Sequence, residues 1–278
     1  MCWPASEPAR WIDAKANNVK HITAPDNPQF KALLKLVQSS RERRLAGLSL
    51  LDGVHLLQTY QARLGAPEQI IVSQTGTASA EVQALLHMLE AANTLLLSDN
   101  LFKQLSTVAT PTGIIAVIKT PRRETPPANL ETCVMLEDVQ DAGNVGSILR
   151  SCAATGVTQI FLSKQCVNAW SPRVLRAAMG AHFSLEVYER IDLEALAGAF
   201  PGRVLVTQQH AAQLIFTTLL TGKIALVFGN EGAGVSQTLA QCAHEAVTIP
   251  MHATTESLNV AAAAAVCLFE RVRQLAVD

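Results

Sequence analysis

No hydrophobic run in this sequence is long enough to cross a bilayer, since the longest apolar stretch, residues 260–269, is about half of what a membrane helix needs. Residues 1–18 have no apolar centre behind a basic start, so no secretory signal is evident and a cytoplasmic location is expected. The six cysteines (Cys2, Cys133, Cys152, Cys166, Cys242 and Cys267) include no C-x-x-C and no Cys/His pair at zinc spacing. They read as reduced core residues, and no metal site is expected. Charge is also scarce. Only 16% of the chain is charged and the net charge is −1, so there is no global attraction to nucleic acid, only local clusters at Arg41, Arg43 and Arg44, at Lys119, Arg122 and Arg123, and at Arg173 and Arg176. The glycines form neither a G-K-[ST] phosphate loop nor a G-x-G-x-x-G dinucleotide fingerprint.

What the chain does have is aliphatic residues. At 278 residues and 49% hydrophobic it can bury one large core or two ordinary ones. Residues 1–20 lack periodicity and read as a loose leader. Helical and strand patterns alternate over 21–118, which predicts a small α/β domain. Residues 119–131 carry three prolines and five charges and read as a linker. From 132 to 278 strands again alternate with helices, which requires crossover connections and a parallel sheet covered on both faces.

Three loops of the larger half could carry chemistry. The first, E-D-V-Q-D-A-G-N-V-G-S-I-L-R from Glu137 to Arg150, follows a strand at 133–136 and opens a helix expected near Gly146, capped by Asp141 or Asn144. Arg150 is a solitary base on an otherwise small and apolar helix, about one and a half turns in, and needs a partner or a substrate. The second, G-N-E-G-A-G from Gly229 to Gly234, follows the strand at 225–228 and projects an amide and a carboxylate, Asn230 and Glu231, toward a cleft mouth. The third runs from Ile249-Pro250-Met251 to Glu256-Ser257-Leu258-Asn259 before an alanine-rich helix, with Ser257 or Thr255 as its cap and Asn259 in its first turn. Loops at strand carboxyl ends are where open α/β sheets bind ligands.

Together these loops resemble the three motifs of the SpoU (TrmH-like) RNA 2′-O-ribose methyltransferases of the SPOUT superfamily. The matching residues are Asn144, Gly146 and Arg150; Gly229, Asn230, Glu231, Gly232 and Gly234; and Ile249, Pro250, Met251, Glu256, Ser257, Leu258 and Asn259. Residues 41–44, Asp52-Gly53 and 110–117 resemble, more loosely, the ribosomal-protein-like substrate-binding domain attached to such enzymes. The resemblance implies an α/β fold with a trefoil knot in the C-terminal domain, S-adenosylmethionine as methyl donor without a metal, an RNA substrate with ribosomal RNA preferred to transfer RNA, and a homodimer. It also implies that Arg150, Asn144, Glu231 and Asn259 serve catalysis and that Gly229, Ile249, Met251, Leu258 and Ser257 hold the donor. The clusters at Arg41, Arg43, Arg44, Arg173 and Arg176 would contact RNA phosphates. Ala253 and Ala261 stand where relatives often carry glycine and serine. A non-catalytic RNA-binding protein would not need Asn144, Arg150 and Glu231 together, and a dehydrogenase would need a glycine-rich first loop that is absent.

Overall fold

The computed structural model describes residues 19–89, 93–252 and 257–276. Two compact units divide the chain: one holds the described residues up to Thr120 together with Trp170–Pro172, the other Pro121–Ala169 and the described residues from Arg173 on.

The first unit runs β1 (Lys20–Ile22), α1 (Pro28–Gln38), α2 (Ser40–Ala46), β2 (Leu48–Asp52), α3 (Val54–Leu64), β3 (Gln69–Ser73), α4 (Ala80–Met88), β4 (Thr94–Leu97), α5 (Asp99–Leu105) and β5 (Ile114–Lys119). Its sheet is ordered β1-β4-β3-β5-β2, with β1, β3 and β4 parallel and β5 antiparallel to both β3 and β2. Helix α1 forms where Asn27 accepts the Gln29 N–H and Pro28 presets the first turn, and it buries Phe30, Leu33 and Leu36 on one face.

Helix α2 changes the reading of the first arginine cluster. Ser39 caps it by accepting the Glu42 N–H, and the register this sets turns Arg43 inward, where it is only 5% exposed. Its Nη1 donates to the carbonyls of Leu36 at 2.7 Å and Val37 at 3.1 Å, closing orphan acceptors at the carboxyl end of α1. Arg43 is therefore spent on the fold, and the RNA contact expected of it is corrected. Arg41 is exposed and Arg44 half-buried.

In the second unit come β6 (Cys133–Leu136), α6 (Ala142–Thr155), β7 (Gln159–Leu162), α7 (Pro172–Ala177), β8 (Glu186–Tyr188), α8 (Leu193–Ala199), β9 (Arg203–Thr207), β10 (Gln213–Leu214), β11 (Ile224–Phe228), α9 (Gln237–Gln241), β12 (Glu245–Thr248) and α10 (Val260–Leu275). All seven strands are parallel, in the order β10-β12-β9-β11-β6-β7-β8. The expected parallel α/β sheet and the smaller α/β domain before it are both present. The proline-rich stretch does not hang free. Arg123 makes a parallel bridge to Tyr188 on the edge strand β8, and Leu130 is buried, so this segment covers an edge that would otherwise stay open.

Helix α6 begins four residues before the expected start. Asp141 is its cap, its Oδ1 accepting the Asn144 N–H at 2.8 Å, and Gly156 in the left-handed region ends it. Gly146 lets α6 meet α7 almost backbone to backbone, because a Cβ there would lie 2.4 Å from the Ala177 Cβ and 2.9 Å from the Val174 carbonyl oxygen. Helix α10 packs along α6, which brings their amino-terminal ends together.

Candidate active site

The three loops leave the carboxyl ends of β6, β11 and β12, and β9 stands between β11 and β12 in the sheet. At these ends lies a cleft of about 420 Å³, within the range of small-molecule sites. Its wall includes all five residues expected to hold a donor: Gly229, Ile249, Met251, Ser257 and Leu258. Thr207 at the end of β9 and Gln208, Gln209 and His210 just beyond it also line the cleft, and the sequence reading passed over them. The strand-end rule would have found them had the strand order been known.

Beside the cleft the three motifs are joined by one directional chain of hydrogen bonds. Asn259 is the cap of α10, not a residue of its first turn, and its Oδ1 accepts the N–H groups of Ala261 at 2.9 Å and Ala262 at 3.3 Å. Only its Nδ2 remains to donate, and it does so to Asn144 Oδ1 at 2.8 Å. The orientation of Asn144 follows. Its Nδ2 faces the next group and donates to Glu231 Oε1 at 2.9 Å. An ionised carboxylate is acceptor-only, so it is a fitting end to the chain. The helix terminus thus fixes which way every amide in the relay points.

Glu231 takes further donors from the backbone of Asp141 at 3.2 Å and Gln140 at 3.4 Å, where the amino-terminal dipole of α6 also favours negative charge. Burial works to raise its pKa, but the bonds from Asn144 and the backbone amides outweigh it and hold the carboxyl below the usual carboxylate range. A depressed pKa means the tie stabilises the loops above the ordinary carboxylate value and is lost as pH falls through the lowered one. Glu231 lines the cleft, where the sequence suggested a carboxylate, and also reaches back to the first loop. Its neighbour Asn230 makes a second tie, donating from Nδ2 to the Asp138 carbonyl at 2.8 Å and accepting from Gly232 and Ala233.

Arg150 does not join this group. It is exposed and has no hydrogen-bond or ion-pair partner among the described residues. The early start of α6 explains why: six residues beyond Asn144, Arg150 lies about 9 Å further along the axis and roughly 120° around it. It shares the Gly146 side of the helix, toward α7, where Arg173 and Arg176 are also exposed. Glu256 and Ala253 lie outside the described residues, as does Thr255. Ala261 follows the cap and contributes only its N–H.

The relay yields a clean test. Asn259→Asp keeps the capping acceptor and adds charge favoured at a helix start, but it cannot donate to Asn144. The melting temperature should hold or rise slightly while any turnover dependent on the relay falls on the order of 10- to 100-fold. Full turnover in this variant would show that the relay serves only the fold.

Residues 131–269 match the SpoU rRNA Methylase family, and residues 27–116 match the MRM3-like substrate binding domain. The chain is 30% identical to an uncharacterised tRNA/rRNA methyltransferase of Synechocystis sp. over 93% of its own length and 95% of the relative's. It is 26% identical to a 23S rRNA guanosine 2′-O-methyltransferase of Bacillus subtilis, covering 90% of this chain and 98% of that one. Among solved structures, the AdoMet-bound rRNA methyltransferase of Sinorhizobium meliloti superposes with a TM-score of 0.78 at 25% identity, over 93% of this chain and 99% of its own.

Proposed function

The chain belongs to the SpoU rRNA methylase family, and on that premise we propose that it methylates a ribose 2′-hydroxyl in structured RNA, ribosomal rather than transfer RNA, with S-adenosylmethionine as donor. The observation that carries this reading is the meeting of three separated motifs, Asn144, Glu231 and Asn259, at the rim of one cleft. Tritium transfer from S-adenosylmethionine to ribosomal RNA, with the methylated ribose mapped by mass spectrometry, tests it. Donor binding without transfer to any ribosomal or transfer RNA would leave a non-catalytic RNA-binding protein instead.

The cleft suits the donor. Ile249, Leu258, Val260 and Ala263 offer an apolar wall for a flat ring, and Gly229 presents bare backbone. When bound, S-adenosylmethionine supplies an electrophilic methyl whose sulfonium loses its charge as transfer proceeds. Gly229, Ile249, Met251, Ser257 and Leu258 would hold it. Asn144, Glu231 and Asn259 keep the three loops in register, and Arg150 supplies the charge that the acceptor oxygen needs as it develops negative character.

Arg41, Arg44, Arg173 and Arg176 are the proposed phosphate contacts, positioning the RNA without reading its sequence. Arg41→Ala should weaken RNA binding and flatten its salt dependence by about one unit of slope, with stability unchanged. Arg43→Ala should instead cost about 2–3 kcal/mol of stability, since it removes a buried charged donor from two carbonyls. Titrations in increasing salt alongside urea unfolding separate the two, and a salt-insensitive affinity in the unaltered protein would remove the phosphate assignment altogether.

A second copy of the chain is the proposed partner. Phe269 and Leu275 on α10 are exposed, and so are Phe216 and Leu219 in the segment that α10 contacts, an apolar group suited to burial between copies. Light scattering at micromolar concentration should give the mass of two chains. The cytoplasm is the proposed compartment. No helix among the described residues is long and apolar enough to cross a membrane.

A further inference from the structure

Asp138 is one of three described non-glycine residues with positive φ, at 56°, and it stands in the first loop just beyond β6. Such a backbone is unfavourable for a side-chain-bearing residue, and strain of this kind persists only where neighbours over-determine it. Here a single hydroxyl does so. Ser163 Oγ accepts the Asp138 N–H at 2.9 Å and donates to the Asp138 carboxylate at 2.5 Å, closing a small ring on one residue. Ser163 is itself fixed, because it follows the last paired residue of β7 and its N–H donates to the Leu136 carbonyl at 2.9 Å. The product of this arrangement is the direction of one carbonyl. The oxygen of Asp138 receives Asn230 Nδ2 at 2.8 Å, and the same amide accepts Gly232 and Ala233 and so shapes the turn that presents Glu231.

We infer that Asp138 and Ser163 are a positioning pair for the methyl-transfer site, holding the glycine turn, and Glu231 with it, in register with the first loop. Neither residue lines the cleft. The kinetic part of this inference rests on the methyltransferase reading; the structural part does not.

Four variants test it. Asp138→Asn tolerates the left-handed backbone and keeps an acceptor for Ser163, so it should behave as the unaltered protein. Asp138→Gly relieves the strain but removes the acceptor, Ser163→Ala removes the hydroxyl, and Asp138→Ala removes the acceptor while leaving a Cβ at positive φ. The last three should lower kcat on the order of 10- to 100-fold with a much smaller change in the Kd for S-adenosylmethionine. Amide hydrogen exchange across residues 229–235 should rise in those three and not in Asp138→Asn. Unchanged exchange and undiminished kcat in Asp138→Gly or Ser163→Ala would overturn the inference. Were the unaltered protein to transfer no methyl group to RNA, the methyltransferase reading would fail, while the exchange measurement would still decide whether the pair holds the turn.

Discussion

Arg150→Ala is expected to abolish methyl transfer while leaving the Kd for S-adenosylmethionine within about twofold. The second half of that expectation follows from position, since Arg150 is not on the wall of the cleft. The first follows from charge. A 2′-hydroxyl becomes a good nucleophile only as its oxygen turns negative, and Arg150 is an exposed cation without a partner among the described residues, available to meet that charge or the neighbouring phosphate. Loss of a single donor to a developing oxyanion costs about 100- to 1,000-fold in rate. Arg150→Lys should recover a minor part, since it restores charge without the planar fork. Equal turnover in Arg150→Ala would end the assignment.

The direction of Arg150 raises a further consequence for the same experiment. Its side of α6 is turned away from Asn144, so a dimer in which Arg150 reaches the partner's cleft reconciles the two. Mixing Arg150→Ala chains with Glu231→Gln chains then regenerates one intact site per mixed dimer. If arginine and cleft act within one chain, every site in the mixture carries a defect and no activity returns.

Elements whose signals are local were legible in the chain. The strands β6 and β11 fall where the apolar runs 133–136 and 225–228 place them, because each is bounded by its own turn residues. The three loops were legible for the same reason, as glycine, proline and amide clusters following apolar strands. What was not legible depends on pairing in space. β9 enters the sheet between β11 and β12, so its loop lines the cleft although it lies far from either motif in sequence. Arg43 looks like its neighbours until the Ser39 cap sets the register of α2. A four-residue error in the start of α6 was enough to misdirect Arg150, because each residue turns the helix by about 100°. Polar relays are the hardest case: the sequence supplies Asn144, Glu231 and Asn259, but only the packing of α10 on α6 says which amide end each presents.

The glycine turn provides the other large effect, and its three glycines should respond in a definite order. At Gly229 an added Cβ would lie 2.1 Å from the Gly234 carbonyl carbon, 2.2 Å from its oxygen and 2.3 Å from the Val235 nitrogen. All three are backbone atoms, so no side chain can rotate aside. The turn cannot open without breaking the paired bonds Asn230 N–H to Gly234 O at 3.0 Å and Gly234 N–H to Asn230 O at 2.9 Å. Overpacking and two lost bonds together amount to about 3 kcal/mol or more, which corresponds to at least ~100-fold weaker donor binding if the strain falls on the cleft. Gly234 has open space around its Cβ direction but a φ of 72°, so alanine there costs only the left-handed penalty of about 1 kcal/mol. At Gly232 the nearest atom is Asn230 Oδ1 at 3.6 Å, an ordinary contact, and alanine should be nearly silent. Calorimetric titration of S-adenosylmethionine into Gly229→Ala, Gly234→Ala and Gly232→Ala reads the series directly. Near-normal affinity in Gly229→Ala would mean that the donor does not depend on this turn, and the cleft would have to be assigned to another ligand.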